Sequence, residues 1–319
     1  IRQRPVDRVV QPLKLMGAAI SARQQGKFAP LAIEGKKLKA INYSLPVASA
    51  QVKSCILFAA LLAEGETVII EPLRCRDHTE RLFQYLDIPL KIKADSGRQL
   101  SLAGPAAFQA KPITVPADFS AAAFLLTAEI LAAKESLTVK KVGLNPTRTG
   151  FLTILKQMGA KVLLSNEATV NNESVADLTV QHQELLATEV SGGLIPLLID
   201  EIPLIVLLAT QAKGTTVIKD AQELKVKETD RISTVAAELV KMGAKVKTTA
   251  DGFIIKGPTK LKGAVVHSHF DHRLAMMLAV AGLVASGETV VEGMEAADVS
   301  FPQFTAVLKK VGASLASKA

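Results

Sequence analysis

Cations recur at the mouths of helices in this chain, where elementary electrostatics disfavours them. In Asp271-His272-Arg273, followed by the apolar run Leu274-Ala275-Met276-Met277-Leu278, Asp271 suits an N-cap and Arg273 then falls in the first helical turn. The macrodipole opposes a cation there. An anion held jointly by the helix amides and the guanidinium would reverse that penalty; the alternative is a surface arginine paired with a carboxylate. The placement repeats. Lys227-Glu228-Thr229-Asp230-Arg231 precedes a helix running from Ile232 toward Lys241. If that helix starts early, Lys227 and Arg231 become i, i+4 neighbours of like charge, which costs about a few tenths of a kcal/mol unless an anion bridges them. Arg148 in Asn145-Pro146-Thr147-Arg148-Thr149-Gly150 and Arg76 in Arg76-Asp77-His78-Thr79-Glu80 open their helices similarly, and Arg4 before Pro5 joins the set. Cations at matching positions that converge on one cleft would suit substrates bearing phosphate or carboxylate groups.

The acids come next. Asp200-Glu201 interrupts the apolar stretch from Leu197 to Val206. Such acids either cap a helix with Pro203 in its first turn or line a desolvated cleft. Desolvation raises a carboxyl toward the range useful for proton transfer, while neighbouring arginines lower it again. Capping is the default for Asp200, and one residue can do both. Glu228, between Lys227 and Arg231, is the second candidate acid–base, unless it is a solvated member of a charged loop. Ser49-Ala50-Gln51-Val52-Lys53-Ser54 opens the helix holding Cys55; its Ser and Gln can donate to phosphate or hydroxyl oxygens, or serve as a plain cap.

The elements that position these residues repeat. Thr-Val pairs follow apolar stretches at Thr67, Thr138, Thr216 and Thr289, in steps of 71, 78 and 73 residues. Gly17, Gly159, Gly243 and Gly312 each end a periodic helix at Gly-Ala or a close equivalent, and Leu86-Asp87-Ile88-Pro89 is a degenerate copy of that mark. Glycine there suits a left-handed C-cap. The pattern predicts an α/β chain of repeated βαβαββ units in packed layers. The first residues read as the closing helix of a unit, so the chain is expected to begin mid-repeat. A domain change is expected near Pro112 to Pro116, giving domains 1–115 and 116–319.

Composition sets the limits. At about 150 residues per domain, 319 residues suggest two. A hydrophobic share of 49% with 21% charged excludes a disordered chain. Aromatics at 4%, with no Trp, argue against base-stacking platforms. The net charge of +8 comes from scattered lysines without a basic arm or recognised motif, so no nucleic-acid partner is expected. Two cysteines, Cys55 and Cys75, cannot build a disulfide framework and read as small buried hydrophobes in a reducing compartment. The longest apolar runs fall short of the ~20 residues of a membrane helix, and the start lacks a signal peptide; a soluble cytoplasmic protein is expected. His267-Ser268-His269-Phe270-Asp271-His272 matches the HxHxDH spacing of binuclear zinc hydrolases. That chemistry needs further histidines downstream, and none follows His272, so no metal is expected.

Taken in order, Arg4-Pro5 with Pro12-Leu13 and Met16-Gly17, Val47 to Ser54, Arg76 to Glu80, Asn145 to Gly150, Asp200-Glu201, Val226 to Arg231, Asp271-His272-Arg273 and Ser300-Phe301-Pro302 resemble the 5-enolpyruvylshikimate-3-phosphate synthase family. The sister enzymes acting on UDP-N-acetylglucosamine lack the Lys-Glu-Thr-Asp-Arg and Asp-His-Arg signatures. The resemblance implies a two-domain inside-out α/β barrel of the enolpyruvyl transferase type that closes on substrate. It implies transfer of the enolpyruvyl group of phosphoenolpyruvate to the 5-hydroxyl of shikimate 3-phosphate, by a monomer with no cofactor. It also implies glyphosate as an inhibitor, the Arg-Asp-His-Thr-Glu and Asn-Pro-Thr-Arg variants resembling the bacterial class often tolerant of it. Arg4, Gln51, Arg231 and Arg273 would hold phosphoenolpyruvate. Ser49, Ala50 through its backbone, Gln51, Arg76, Asp200 and Lys227 would hold shikimate 3-phosphate. Asp200 would accept the 5-hydroxyl proton and Glu228 would serve the methylene carbon. Val299 stands where some members carry a lysine. The family's opening Lys-Ser segment and Asn-Ala-Gly-Thr-type loop are not in this sequence, in keeping with the mid-repeat start. The competing expectation is a C-terminal portion that is inert without its N-terminal segment in trans.

Overall fold

The computed structural model describes residues 4–93, 97–132 and 135–316. It divides into two units: one runs to Thr114 and takes in Thr169–Glu173, and the other holds Val115–Ala168 and the chain from Ser174.

In the first unit, α1 (Asp7–Leu15) leads into the antiparallel pair β1 (Ala19–Ala22) and β2 (Phe28–Glu34), with the one-turn helix α2 (Arg23–Gly26) between them. After β3 (Leu38–Lys39) comes the expected order: β4 (Asn42–Ser44), α3 (Ala50–Ala60), β5 (Ala63–Glu71), α4 (His78–Tyr85), β6 (Lys91–Lys93), β7 (Arg98–Gly104). β4 runs parallel to β5, whereas β7 is antiparallel to both β5 and β6. The Ser49 side chain caps α3 by accepting from Val52 N at 3.4 Å. Ile56, Leu57 and Ala60 of α3 share one apolar cluster with Ile69, Leu100 and Leu102 of the sheet and Phe83 of α4.

The second unit repeats the scheme. α5 (Phe119–Ala132), β8 (Ser136–Gly143), α6 (Gly150–Gln157), β9 (Leu163–Val170) and β10 (Glu173–Gln181) form its first copy, with sheet order β8-β10-β9. Here the opening strand shrinks to a single parallel bridge between Ala117 and Val142, because Pro116 brings no N–H to a ladder. The next copy holds β11 (Glu189–Val190), α7 (Ile195–Leu198), α8 (Ile202–Gln211), β12 (Gly214–Ile218), α9 (Arg231–Lys241), β13 (Lys245–Thr248) and β14 (Phe253–Gly257). Its order β11-β12-β14-β13 and strand directions match those of β4 to β7. The last has β15 (Val265–His267), α10 (His272–Val284), β16 (Val290–Glu292) and α11 (Phe304–Lys310), with β15 parallel to β16.

The repeat marks fall where their periodicity puts them. Thr67, Thr138 and Thr216 lie in β5, β8 and β12, and Thr289 directly precedes β16. Gly17, Gly159, Gly243 and Gly312 take φ of 96°, 84°, 88° and 98°, and Asp87 at the degenerate mark takes 58°. Each is a left-handed residue just past a helix. The apolar helices α5, α8 and α10 pack on one another and supply most of one core, so the helices lie inside and the strands carry the exposed faces. No single helix among the described residues is long and apolar enough to cross a membrane; the apolar pair Gly192–Leu198 and Ile202–Gln211 is bent by 109°.

Gly257 ends β14 where a Cβ would stand 2.4 Å from Ala212 O and 2.6 Å from Ala209 O, at the end of α8. Gly104 meets Ala60 O and Ala63 O in the same way at the end of α3. Backbone cannot yield as a side chain does, so Gly257→Ala should destabilise the protein by about 1–3 kcal/mol and lower Tm in calorimetry. Gly193→Ala, with nothing within 4 Å of its Cβ, is the control and should leave Tm in place; equal melting of the two would contradict the packing.

Candidate active site

The mouths of the core helices of the second unit meet. Asp271 caps α10, accepting from Arg273 N at 2.9 Å and Leu274 N at 3.4 Å, which leaves Arg273 in the first turn. Asp230 caps α9, accepting from Ile232 N at 3.1 Å and Ser233 N at 3.3 Å, and Arg231 is that helix's first residue. Arg231 is 1% exposed. It donates through Nε to Asp271 Oδ2 at 2.7 Å, and through Nη2 to Asp271 Oδ1 at 3.2 Å and Glu228 Oε2 at 2.7 Å. Its Nη1 is buried without a hydrogen-bond partner among the described residues. Because α9 starts at Arg231, Lys227 does not share a helix with it and the like-charge i, i+4 pair does not form. Lys227 follows a 3-10 turn over Gln222–Val226 and donates to Glu223 Oε1 at 2.7 Å.

Asp200 and Glu201 lie at the break between α7 and α8. Glu201 holds the N-cap position of α8 without a side-chain cap bond, and Pro203 sits in the first turn. Asp200 directly precedes that position, and its carboxylate lies among cations. Among the described residues, four cations stand around its carboxylate: Arg273 at 3.7 Å, Arg231 through Nη1 at 3.8 Å, and Arg148 and Lys227 at 3.9 Å. Arg273 Nη1 also donates to Asp200 O at 3.3 Å. Behind it Glu201 accepts from Ser120 Oγ at 2.5 Å, and Arg148 Nη2 donates to that hydroxyl at 2.5 Å. Ser120 belongs to α5, so the starts of α5, α8 and α10 come together at one point, where their dipoles favour an anion. Arg148 reaches it from a turn built on buried Asn145, whose Oδ1 accepts from Thr147 N at 2.8 Å and Thr147 Oγ1 at 2.6 Å.

Burial pushes the Glu201 carboxyl above the ordinary range, with Arg273 and Arg148 opposing it. Burial acts on Asp271 in the same sense, but the Arg231 bonds outweigh it and hold Asp271 below the usual carboxylate range. Burial, and then the charge of Arg273, pushes the His272 imidazole down.

The residues of the HxHxDH spacing lead into α10 and have partners within the protein. His269 Nε2 pairs with Glu238 Oε1 at 2.8 Å, His267 Nδ1 accepts from His269 N at 2.7 Å, and Asp271 is taken by Arg231. Among the described residues no group of three or more His, Cys, Asp or Glu is placed to hold a metal ion.

The remaining candidates belong to the first unit. Arg4 is exposed ahead of Pro5, Ser49 caps α3, Ala50 and Gln51 form its first turn, and Arg76 sits between β5 and α4. Arg4 is thus in a different unit from Arg231 and Arg273, and the convergence described above is that of Arg148, Lys227, Arg231 and Arg273. A cluster missed in the sequence lies beside these residues. Lys53, wholly buried, donates to Glu71 Oε1 at 2.9 Å and Glu80 Oε1 at 2.7 Å. Arg98 Nη1 donates to Glu71 Oε2 at 2.6 Å and Glu80 Oε1 at 2.7 Å. Burial opposes the Lys53 charge, but Glu80 and Glu71 outweigh it and raise its pKa. The signal available was a lysine inside an otherwise apolar helix.

The sequence model of the EPSP synthase (3-phosphoshikimate 1-carboxyvinyltransferase) family matches residues 1–308. A 3-phosphoshikimate 1-carboxyvinyltransferase of Brevibacillus brevis is 51% identical over 98% of this chain and 72% of its own. That of Geobacillus kaustophilus is 50% identical over 98% and 73%. The solved EPSP synthase of Acinetobacter baumannii superposes with a TM-score of 0.87 at 40% identity, covering 98% of this chain and 71% of that one. The enolpyruvyl transferase NikO of Streptomyces tendae shares the fold, with a TM-score of 0.78 at 18% identity over 98% and 72%.

Asp271 offers a test of this geometry. Asp271→Asn removes the wholly buried one of the two carboxylates hydrogen-bonded to the Arg231 guanidinium and should cost about 3–5 kcal/mol in denaturant melts. Since the folded-state pKa of Asp271 is lowered, its stabilisation is complete above the unfolded value of about 3.9 and lost as pH falls through the folded value. The variant should lack this share of the acid-side loss. Stability within 1 kcal/mol of the parent's, with the same acid-side slope, would contradict the pairing (~1 kcal/mol being an ordinary substitution).

Proposed function

The chain belongs to the EPSP synthase (3-phosphoshikimate 1-carboxyvinyltransferase) family, and from that premise we propose that the acids and cations gathered around Asp200 carry its chemistry. The reaction is transfer of the enolpyruvyl group from phosphoenolpyruvate to the 5-hydroxyl of shikimate 3-phosphate, with release of phosphate. The family match does not favour the zinc-hydrolase or inert-portion readings.

In this reading Arg231 and Arg273, with Arg4 and Gln51, bind the phosphate and carboxylate of phosphoenolpyruvate. Ser49, the Ala50 backbone, Gln51, Arg76, Asp200 and Lys227 bind shikimate 3-phosphate. Asp200 takes the 5-hydroxyl proton as that oxygen bonds to C2 of phosphoenolpyruvate, and Glu228 delivers a proton to C3. The tetrahedral intermediate then loses a proton from C3 as the C2–O bond to phosphate breaks. The cations hold two polyanions together and offset charge as it moves to the leaving phosphate. No metal or organic cofactor enters these steps. The protein acts as a cytoplasmic monomer on small anionic substrates, without nucleic-acid or membrane partners.

The observation that carries this reading is the ring of cations 3.7–3.9 Å from the Asp200 carboxylate, with a buried Arg231 Nη1 lacking a hydrogen-bond partner among the described residues. A buried donor left unsatisfied costs about 1–3 kcal/mol, and a substrate oxygen would remove that penalty. Asp200→Asn should lower turnover at least about a hundredfold in a phosphate-release assay while calorimetry still detects shikimate 3-phosphate binding. Near-normal turnover in that variant rejects the assignment.

A further inference from the structure

The reaction makes no direct use of the buried charge cluster of the first unit. Lys53 and Arg98 share the carboxylates of Glu71 and Glu80, so that α3, β5, α4 and β7 are tied at one point. Stability alone does not explain such an arrangement, since a buried ion pair is often no better than an apolar replacement of the same volume. Glu80 Oε2 is even left buried without a hydrogen-bond partner among the described residues.

The cluster does fix directions. Glu71 Oε1 also accepts from Cys75 N at 2.8 Å and from Cys75 Sγ at 2.7 Å. Burial, then Glu71, pushes that thiol up to about 12, so it remains a donor. Arg76 is the next residue. On its other side buried Asp77 accepts from Arg81 Nε and Arg74 Nη2, each at 2.9 Å. Lys53 lies one turn along α3 from Ser49 and donates its N–H to Ser49 O at 3.1 Å. Ser54 Oγ and Thr79 Oγ1, 2.6 Å apart, join α3 to the first turn of α4 a second time.

We infer that Lys53 and Glu80, together with Glu71 and Arg98, are positioning residues for shikimate 3-phosphate: they set the mouth of α3, with Ser49 and Gln51, against the Arg76 loop so that both reach one phosphorylated ligand. The inference rests on the reading of Ser49, Gln51 and Arg76 given above. None of the four charged groups needs to touch substrate.

The test compares Lys53→Met, Lys53→Met/Glu80→Gln and Arg76→Gln in steady-state phosphate release, with melting temperatures and calorimetric titration of shikimate 3-phosphate. Lys53→Met leaves a buried carboxylate in excess and should melt early; the double variant restores charge balance and should recover much of that loss. Both should keep a shikimate 3-phosphate KM and Kd about ten- to a hundredfold above the parent's, because the latch is gone in each. Their kcat should stay within about threefold, since the residues taken to react, Asp200 and Glu228, lie elsewhere. Recovery of shikimate 3-phosphate affinity in step with melting temperature would make the cluster merely structural and overturn the inference. If Arg76→Gln weakens shikimate 3-phosphate binding while the Lys53 variants do not, the latch alone fails. If Arg76→Gln leaves that affinity untouched, the reading beneath it fails.

Discussion

One carboxylate holds the site of the second unit together. Asp271 is wholly buried, and its oxygens do two jobs: they cap α10, and they grip the Arg231 guanidinium at two points. The cap determines where Arg273 leaves the helix. The grip determines which way Arg231 Nη1 faces. Burying such a pair is expensive unless its hydrogen bonds are met. Here they are met on the Asp271 side, and the exception on the Arg231 side is the nitrogen nearest Asp200. The proposed binding of an anionic substrate oxygen would satisfy that buried donor, beside a ring of cations.

The repeated module explains why the site lies where it does. Each copy begins with a short strand and an apolar helix, and the helices α5, α8 and α10 are buried against one another. Their starts therefore share one end of the core. Ser120, Glu201 and Arg273 are there because they occupy comparable positions in successive copies, not because they are close in the chain. Duplication thus turns one local feature, a polar residue at a helix mouth, into a converging set. The first unit uses the same module differently, with Lys53 inside α3 tied to β5, α4 and β7 by charge.

Local patterns were legible in the sequence and long-range pairings were not. The repeat, the left-handed caps including Asp87, and the arginines at the starts of α9 and α10 follow from spacing within a few residues, which short-range sterics and hydrogen bonding decide. Which carboxylate answers which cation depends on chain brought together from far away. Ser120 and Glu201 are 81 residues apart, and Arg231 and Asp271 are 40 apart. No periodicity encodes such a pair. The acids at 200 and 201 suited a cap by local rule; the break between α7 and α8 also sets both beside cations from elsewhere in the chain. The histidine spacing suited a metal by local rule, yet in the fold His269 pairs with Glu238 and Asp271 with Arg231. Lys53 was read within a helix opening, while the strands that supply its partners were invisible to that view.

The claim at the centre is that Arg231 and Arg273 face the same anion. A double-mutant cycle on phosphoenolpyruvate affinity addresses it directly, with Arg231→Gln, Arg273→Gln and the combined variant titrated calorimetrically. Two side chains sharing one small ligand should couple, and we expect an interaction energy of about 1 kcal/mol or more. Losses that add within about 0.5 kcal/mol would show the two arginines acting independently, and the account would not stand.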